Sequence, residues 1–242
     1  MDPLTTLAAG GLRARMESLD MLANNLANVA TSGYKNDREF YTLYASPEAS
    51  DEKLGGPQVS PLIDRAWTDY SQGTLEPTGK PLDLALDGPG FFSVGGESGP
   101  LYTRNGGFRF STTGGVVTQE GYPLQLADGR PLQLNPNQAF QVMPDGSVSQ
   151  GNQVLGRLRI VSLADAAGVS KMGANYYRAA DANVASSSIA QVRQGSKENS
   201  NVSAAESAVR LVTVMRQFEM LQKAVSIGAE MNRKAAEEVA KV

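Results

Sequence analysis

The side chains with the most capacity for chemistry in this sequence are four aspartates, which could act as acid, base or metal ligand. Asp83 and Asp87 are four residues apart in an alternating apolar and polar stretch, so a strand would place both on one face. Asp128 and Asp145 each precede a glycine between short apolar runs, where aspartate shapes turns without doing chemistry. Nothing else in the sequence converges on the first pair, and the turn interpretation accounts for the second.

The composition removes most catalytic chemistry, because the 242 residues include no histidine and no cysteine. Histidine-based triads, thiolate nucleophiles, disulfides and ordinary zinc sites are therefore excluded. The glycine-rich runs at 88–90 and 105–107 precede no helix pattern, so they are not phosphate-binding loops. We expect no catalytic residue, cofactor, metal or small-molecule substrate, and a carboxylate-based enzyme is the alternative.

Charge and hydropathy exclude further classes of partner. The net charge of -3 provides no basic face for nucleic acid. No apolar run approaches the roughly 20 residues that span a bilayer, so we expect no membrane insertion. The first residues carry neither the basic start nor the apolar run of a cleavable signal peptide. Such a chain either stays in the cytosol or leaves by a route that reads no such signal.

A helical pattern runs from Leu4 to about Ala30, with Gly33 as its expected C-terminal cap. The pair Gly10-Gly11 weakens its first turns. Its apolar stripe alternates spacings of four and three, as in a coiled coil, and contains Leu12, Met16, Leu19, Ala23 and Leu26. One such stripe cannot bury itself, so the helix needs a partner.

A second helical pattern, from about Val202 to Val239, shows the same alternation. Its stripe includes Leu211, Met215, Phe218, Gln222 and Val225. Two arrangements are open at this point: the helices form a coiled coil within the chain, or they join a bundle between subunits.

Three asparagines interrupt the end of the first helix pattern, although asparagine is a poor helix former. Asn24, Asn25 and Asn28 form either a solvated polar face or a hydrogen-bonding face against a neighbouring chain, and their spacing fits both. A membrane-surface helix is disfavoured, because this face carries few cations.

The middle of the chain is predicted to be rich in β-structure. Residues 36–75 are polar and broken by proline and glycine, which favours an extended loop or arm with a short strand at 65–70. From 79 to 163 the apolar period changes to two with frequent turns, which is typical of an antiparallel β domain. Within it, Asn105-Gly106-Gly107 predicts a hairpin between 101–104 and 108–110.

We therefore expect an α+β fold with long terminal helices in a coiled-coil layer and a central antiparallel β-rich domain. Its four predicted segments are the N-terminal helix (1–35), the arm (36–75), the β-rich domain (76–198) and the C-terminal helix (199–242).

Several motifs, in one order along nearly the whole chain, carry a resemblance. They are LANNLANVATSGYK at 22–35, GFFSV at 90–94, YTRNG at 102–106, GYPL at 121–124, ENSNV at 198–202 and RQFEM at 216–220. Together they resemble the family of bacterial flagellar rod and hook proteins. The run LGRLRIV at 155–161 resembles the F-type proximal-rod members in particular, with the G-type distal-rod members as the alternative.

The resemblance implies a structural subunit of the flagellar basal-body rod that polymerises helically with copies of itself and with other rod proteins. It implies a place in the drive shaft that transmits torque to the hook, in the periplasmic space. It also implies export by the flagellar type III apparatus without a cleavable signal peptide. Both helical stripes and the three asparagines are then expected to be subunit contacts.

Overall fold

The structure is a computed structural model that describes residues 3–45, 59–163, 168–173, 175–180, 184–186 and 189–239. Helix α1 spans Pro3–Ala27 and helix α2 spans Ala204–Val239, with strands between them. The expected α+β architecture is confirmed in this order of elements. Over the described residues, neither helix is long and apolar enough to cross a bilayer.

The strands between the helices are short apart from the first two, and every pairing with a described register is antiparallel. Their bounds are β1 Asp37–Ala45, β2 Val59–Thr68, β3 Leu75–Pro77, β4 Leu84–Asp87, β5 Phe91–Gly96, β6 Gly99–Thr103, β7 Arg109–Phe110, β8 Val116–Val117, β9 Phe140–Val142, β10 Ser147–Gln150, β11 Gln153–Arg157, β12 Ile160–Leu163, β13 Val169–Lys171, β14 Tyr176–Ala179, β15 Val184–Ser186, β16 Gln191–Gln194 and β17 Ser196–Glu198.

The chain divides into two compact units. The helical unit comprises Met1–Ala27, Asp37–Trp67 and Ser203–Val242, and the β unit comprises Asn28–Asn36 and Thr68–Val202. Residues 28–36, which follow α1 in sequence, thus belong to the β unit. The predicted division into four segments stays a prediction. It assigns residues 28–35 to the N-terminal helix segment, whereas they belong to the β unit here.

The end of α1 differs from the expectation. The helix ends at Ala27 rather than about Ala30, and Gly33 does not cap it. Gly33 has a φ of 70° and packs so tightly that an added Cβ would lie 2.5 Å from the carbonyl carbon of Arg104. Only glycine combines a positive φ with the absence of a Cβ, so Gly33 allows the backbone to pass close to Arg104 within the β unit.

The prediction that residues 36–75 form an irregular arm is wrong for two stretches. Strands β1 and β2 pair with each other in a two-stranded sheet, and β2 contains part of the short strand predicted at 65–70. These strands were missed because their mixture of polar and aromatic residues obscures the alternation of apolar and polar side chains that predicts a strand. Residues 46–58 of the predicted arm lie outside the described part of the chain.

The β unit is held by an apolar core beneath a six-stranded sheet. The strand order in that sheet is β13-β14-β6-β5-β12-β15. Alternate residues of β5 and β6 reach the core on one side, where Phe92, Val94 and Leu101 pack together, and a smaller cluster holds Phe91 and Tyr102 on the other. Both faces of this sheet are therefore covered, which explains why Phe91-Phe92 reads as a continuous apolar run.

The predicted hairpin at Asn105-Gly106-Gly107 is wrong. Strand β6 pairs with β5 and β14, whereas β7 pairs with β8. Gly106 instead lies against strand β4, where the Leu84 N–H donates to its carbonyl oxygen at 2.9 Å. A Cβ on Gly106 would lie 1.5 Å from the Leu84 oxygen, so this glycine serves a close backbone crossing. The turn predicted at Asp145-Gly146 is confirmed, since β9 and β10 pair across it.

Candidate functional site

The helical unit is built on two helices that pack through small and polar positions of α1. The buried row of α1 consists of Gly11, Ala14, Ser18, Leu22 and Asn25, at spacings of three and four. Gly11 faces α2, where an added Cβ would lie in ordinary van der Waals contact with Leu221 Cδ1, at 3.5 Å. The glycine that weakens the helix in the sequence is thus a position where the two helices meet.

The two helices run antiparallel. Glu39 of β1 joins them, because it accepts one hydrogen bond from the Ser18 hydroxyl and another from Arg210 Nη2 at 3.1 Å. Ser18 follows Gly11 along α1, whereas Arg210 precedes Leu221 along α2. The direction of α2 is therefore opposite to that of α1.

The row of α2 that faces α1 has the same four-three spacing. Its buried or half-buried members are Ser207, Leu211, Val214, Phe218, Leu221, Val225 and Gly228. Leu211, Phe218 and Val225 of the predicted stripe lie on this row. Met215 and Gln222 lie one position beyond it and are exposed.

The predicted stripe of α1 lies beyond the packed row, by one position for four of its members and by two positions for Met16. Leu12, Leu19 and Leu26 are half-buried, Ala23 is exposed, and Met16 is 54% exposed. One position is about 100° around a helix. The predicted stripe of α1 is therefore not the row that is most buried, and of the large apolar side chains only Leu22 lies on that row.

These displaced positions form one surface. The α1 positions follow their packed row by one or two residues, and Met215 and Gln222 follow the packed row of α2 by one. In an antiparallel pair of right-handed helices, a shift in this sense points to the same side on both helices. We name this surface the shared face. It consists of Leu12, Met16, Leu19, Ala23 and Leu26 on α1 and of Ala208, Val212, Met215 and Gln222 on α2.

The three asparagines have three different environments. Asn25 is 2% exposed, and its amide donates to the Asp37 carbonyl oxygen at 2.8 Å and accepts from the Asp37 N–H at 3.0 Å. It thus fixes the start of β1 within the chain. Asn24 is exposed on α1, while Asn28 accepts from the Thr31 hydroxyl at 3.1 Å in the β unit. Asn25 follows neither of the two interpretations that its sequence left open.

A buried ion cluster in the β unit holds the segment that carries Lys35. The Lys35 ammonium donates to Glu198 Oε1 at 2.5 Å and to the Ser71 carbonyl oxygen at 2.6 Å. The same Glu198 oxygen accepts from the Gly73 N–H at 2.9 Å, and Oε2 accepts from Arg104 Nη1 at 3.0 Å. The Glu198 carbonyl oxygen also accepts from the Gly33 N–H at 2.7 Å.

The electrostatics of this cluster depend on the carboxylate. Burial lowers the pKa of Lys35 and that of Arg104, and in both cases the charge of Glu198 and its hydrogen bond oppose the effect. One buried carboxylate thus serves two buried cations, and its removal would deprive both of their main counter-charge.

Sequence reasoning did not find this cluster. The only signal was that two of the quoted motifs end or begin at its members, since the first ends at Lys35 and another begins at Glu198.

Asp83 and Asp87 do not form a catalytic pair. Asp83 is 4% exposed, accepts from the Thr78 hydroxyl at 2.7 Å and lies 3.5 Å from Lys197 Nζ. Asp87 binds Arg193, with Nε at 2.9 Å and Nη2 at 2.5 Å. Asp83 also lines a groove of about 500 Å³, but its carboxylate is engaged by its own chain.

Asp128 and Asp145 occupy turns, as the sequence indicates. Asp128 accepts from the backbone and side chain of Arg130, and Asp145 accepts from the backbone and hydroxyl of Ser147. These hydrogen bonds lower the pKa of both carboxyl groups. The described part of the chain contains no group of three or more acidic side chains that could hold a metal ion.

Comparison with known proteins assigns the family. The chain is 34% identical over 229 residues to the flagellar basal-body rod protein FlgF of Caulobacter vibrioides, covering 93% of this chain and 92% of that protein. The chain belongs to the flagellar basal-body rod protein family. This rod protein is also 29% identical to FlgG of Buchnera aphidicola, over 98% of its own length and all of the relative. It is 29% identical to FlgG of Bacillus subtilis, over 91% and 93% of the two chains.

Three family models match successive parts of the rod protein. They are a flagella basal body rod protein model at residues 7–35, a flagellar hook protein FlgE/F/G D1 domain at 85–173, and a flagellar basal body rod FlgEFG C-terminal model at 193–238. The resemblance stated from the sequence is confirmed, and the relatives are consistent with the F type, with the G type as the alternative. The family is one of structural components of the rod, so the rod protein is a structural subunit located in the flagellar basal body.

Proposed function

We propose that the rod protein polymerises helically, with copies of itself and with other rod proteins, through the shared face of α1 and α2. In this role it forms part of the drive shaft that transmits torque from the motor to the hook. The observation that carries the proposal is the shared face itself. Large apolar side chains lie one or two positions outside the packed row on both helices, so the pair presents Leu12, Met16 and Leu19 on the same side as Met215.

The shared face revises the expected set of subunit contacts. Met16, Ala23, Met215 and Gln222 are exposed and suited to a neighbour. Asn25 is buried within the chain, so we leave it out of the proposed contact surface.

Three further residues that the sequence predicted as subunit contacts lie on the packed row of α2 instead of the shared face. The packed-row residues Leu211, Phe218 and Val225 are half-buried towards α1, so they act on assembly by holding the two helices in register. With neighbouring helix pairs added, the arrangement would be the coiled-coil layer expected from the sequence.

We further propose that the chain is exported unfolded by the flagellar type III apparatus, without a cleavable signal peptide, and assembles in the periplasm. The helical unit supports coupling between assembly and folding, because much of its apolar surface is uncovered in the single chain. The free protein would then be largely monomeric with weakly protected terminal helices, whereas the β unit has a closed core of its own.

A catalytic role is not part of the proposal. Each of the four candidate aspartates is engaged by a side chain or turn of its own chain, and none is paired with another. A hydrolytic turnover lost in Asp83→Ala would contradict this statement.

The test is the position of the chain in isolated basal bodies. Antibody labelling should find it on the rod, between the motor and the hook, and deletion of residues 1–27 should abolish the labelling while the β unit stays folded. Normal labelling and motility after that deletion would exclude assembly through α1.

A further inference from the structure

Helix α2 carries a second row of uncovered apolar side chains, separate from the shared face. We name this row the outer stripe, and it consists of Val209 (69% exposed), Met220 (63%), Ile227 (50%) and Met231 (66%). Monomeric proteins expose single apolar residues routinely, but a row along one helix face indicates an interaction surface.

The outer stripe points away from both surfaces described above. At about 100° per residue, it lies roughly 140° around α2 from the row that packs on α1. The shared face lies roughly 110° from that row in the opposite sense. A partner seated on the shared face therefore leaves the outer stripe uncovered.

Over residues 9–27, whose side chains the structure describes, helix α1 has no equivalent of the outer stripe. Its corresponding positions are the exposed residues Arg13, Glu17, Asp20 and Asn24, all of them polar. The helix pair is thus asymmetric, with one apolar face shared by both helices and a second one on α2 alone.

We propose that the outer stripe binds the shared face of a second copy of this chain. The inference rests on the proposed function and names the contact by which one copy follows another. Two different patches that bind each other make a heterologous contact, and repetition of such a contact gives an open helical array rather than a closed pair. A shared face that paired only with the same face of another copy would instead stop at two copies.

The chemistry of α2 favours a protein occupant over a lipid surface. The exposed charges beside the outer stripe have mixed signs, with Arg216 and Lys223 next to Glu219 and Glu230. A helix that lies on an anionic membrane instead has a basic polar face. Met220 and Met231 are unbranched and adaptable, and the shared face offers the leucines that they would contact.

The shared face is long enough to cover about two-thirds of the outer stripe. The outer stripe runs from residue 209 to residue 231, about 33 Å at 1.5 Å per residue, and the α1 part of the shared face runs from 12 to 26, about 21 Å. One helix pair can therefore cover most of the stripe of the next.

Cysteine cross-linking tests the contact directly, because the chain contains no cysteine of its own. Cells would express one copy with Met16→Cys and another with Met220→Cys, and isolated basal bodies would be treated with a short bis-maleimide. We expect a cross-linked dimer of the two variants. Met231→Cys provides a second position on the outer stripe, should Met220→Cys incorporate poorly. Replacing Met16→Cys by Glu17→Cys, one residue away on the polar side, should remove the dimer.

The outcomes separate this inference from the proposed function. Incorporation of both variants without a mixed dimer would overturn the inference and leave the rod role intact. A dimer between two copies of Met220→Cys alone, or a cross-link only to a different basal-body protein, would overturn it as well. Absence of the unsubstituted chain from the rod would instead contradict the proposed function.

Discussion

The Lys35 ammonium lies 2.5 Å from the Glu198 carboxylate, and neither side chain is exposed although 163 residues separate them. This pair joins the segment that follows α1 in sequence to β17, the last strand of the β unit. The segment at 28–36 can therefore dock fully only after almost the whole chain is available, which supports the proposal that folding follows export.

The first prediction concerns Glu198→Gln, which removes the buried negative charge but keeps the shape of the side chain. Lys35 and Arg104 would share a dry site without their main counter-charge, so the free energy of unfolding should fall by about 3–5 kcal/mol. Urea denaturation of the full chain measures this loss. The exposed Glu97→Gln is the control and should change stability by less than about 0.5 kcal/mol. A similar small change in Glu198→Gln would show that the cluster does not hold the β unit.

The second prediction separates backbone strain from close packing at Gly33. Gly33 and Gly79 share a φ of 70°, but an added Cβ would meet backbone atoms at 2.5 Å only at Gly33 and finds open space at Gly79. Gly79→Ala should cost about 1–2 kcal/mol for the left-handed backbone alone. Gly33→Ala should cost at least about 2 kcal/mol more, because the segment must move away from Arg104. Equal losses in thermal or urea unfolding would refute the proposed close docking.

The third prediction concerns the acid dependence of Asp145. Hydrogen bonds from the Ser147 backbone and hydroxyl lower the pKa of this carboxyl group in the folded protein. Its contribution is therefore present above the unfolded pKa of about 3.9 and is lost as the pH falls through the lower folded value. The stability difference between the wild type and Asp145→Asn should shrink when urea titrations at pH 5 are repeated near pH 3. Ser147→Ala should reduce this pH effect, and a difference that grows towards low pH would reverse the assigned sign.

The outline of the fold could be predicted from the sequence because its signals are local. Alternation and turns indicate the β unit, and helical periodicity indicates α1 and α2 to within a few residues. The position of the Asn105-Gly106-Gly107 run could not be predicted in this way. Gly106 lets the backbone pass close to Leu84, twenty-two residues earlier. A tight hairpin and a close backbone crossing both favour glycine, so the sequence does not distinguish them.

The helical surfaces show a second limit of sequence reasoning. Periodicity of the large apolar residues, such as Leu12 and Met16, predicted the packing stripe of α1. The antiparallel pair instead packs through the neighbouring small residues, such as Gly11 and Ala14, because these allow a closer approach. The contact between Lys35 and Glu198 could not be predicted from the sequence, because no local pattern links two residues so far apart.

The central claim is that the shared face joins this chain to its neighbours in the rod, and Met16→Glu tests it most directly. A charge at this exposed apolar position should spare the folded chain but oppose packing of a neighbour. Asn24→Glu is the matched control, because it adds the same charge to α1 on the polar side. The measurement is the amount of each variant in basal bodies isolated from cells with equal expression. The account predicts at least about a tenfold loss for Met16→Glu, equivalent to about 1.4 kcal/mol, and a normal amount for Asn24→Glu. Equal incorporation of the two variants, with unchanged motility, would contradict it.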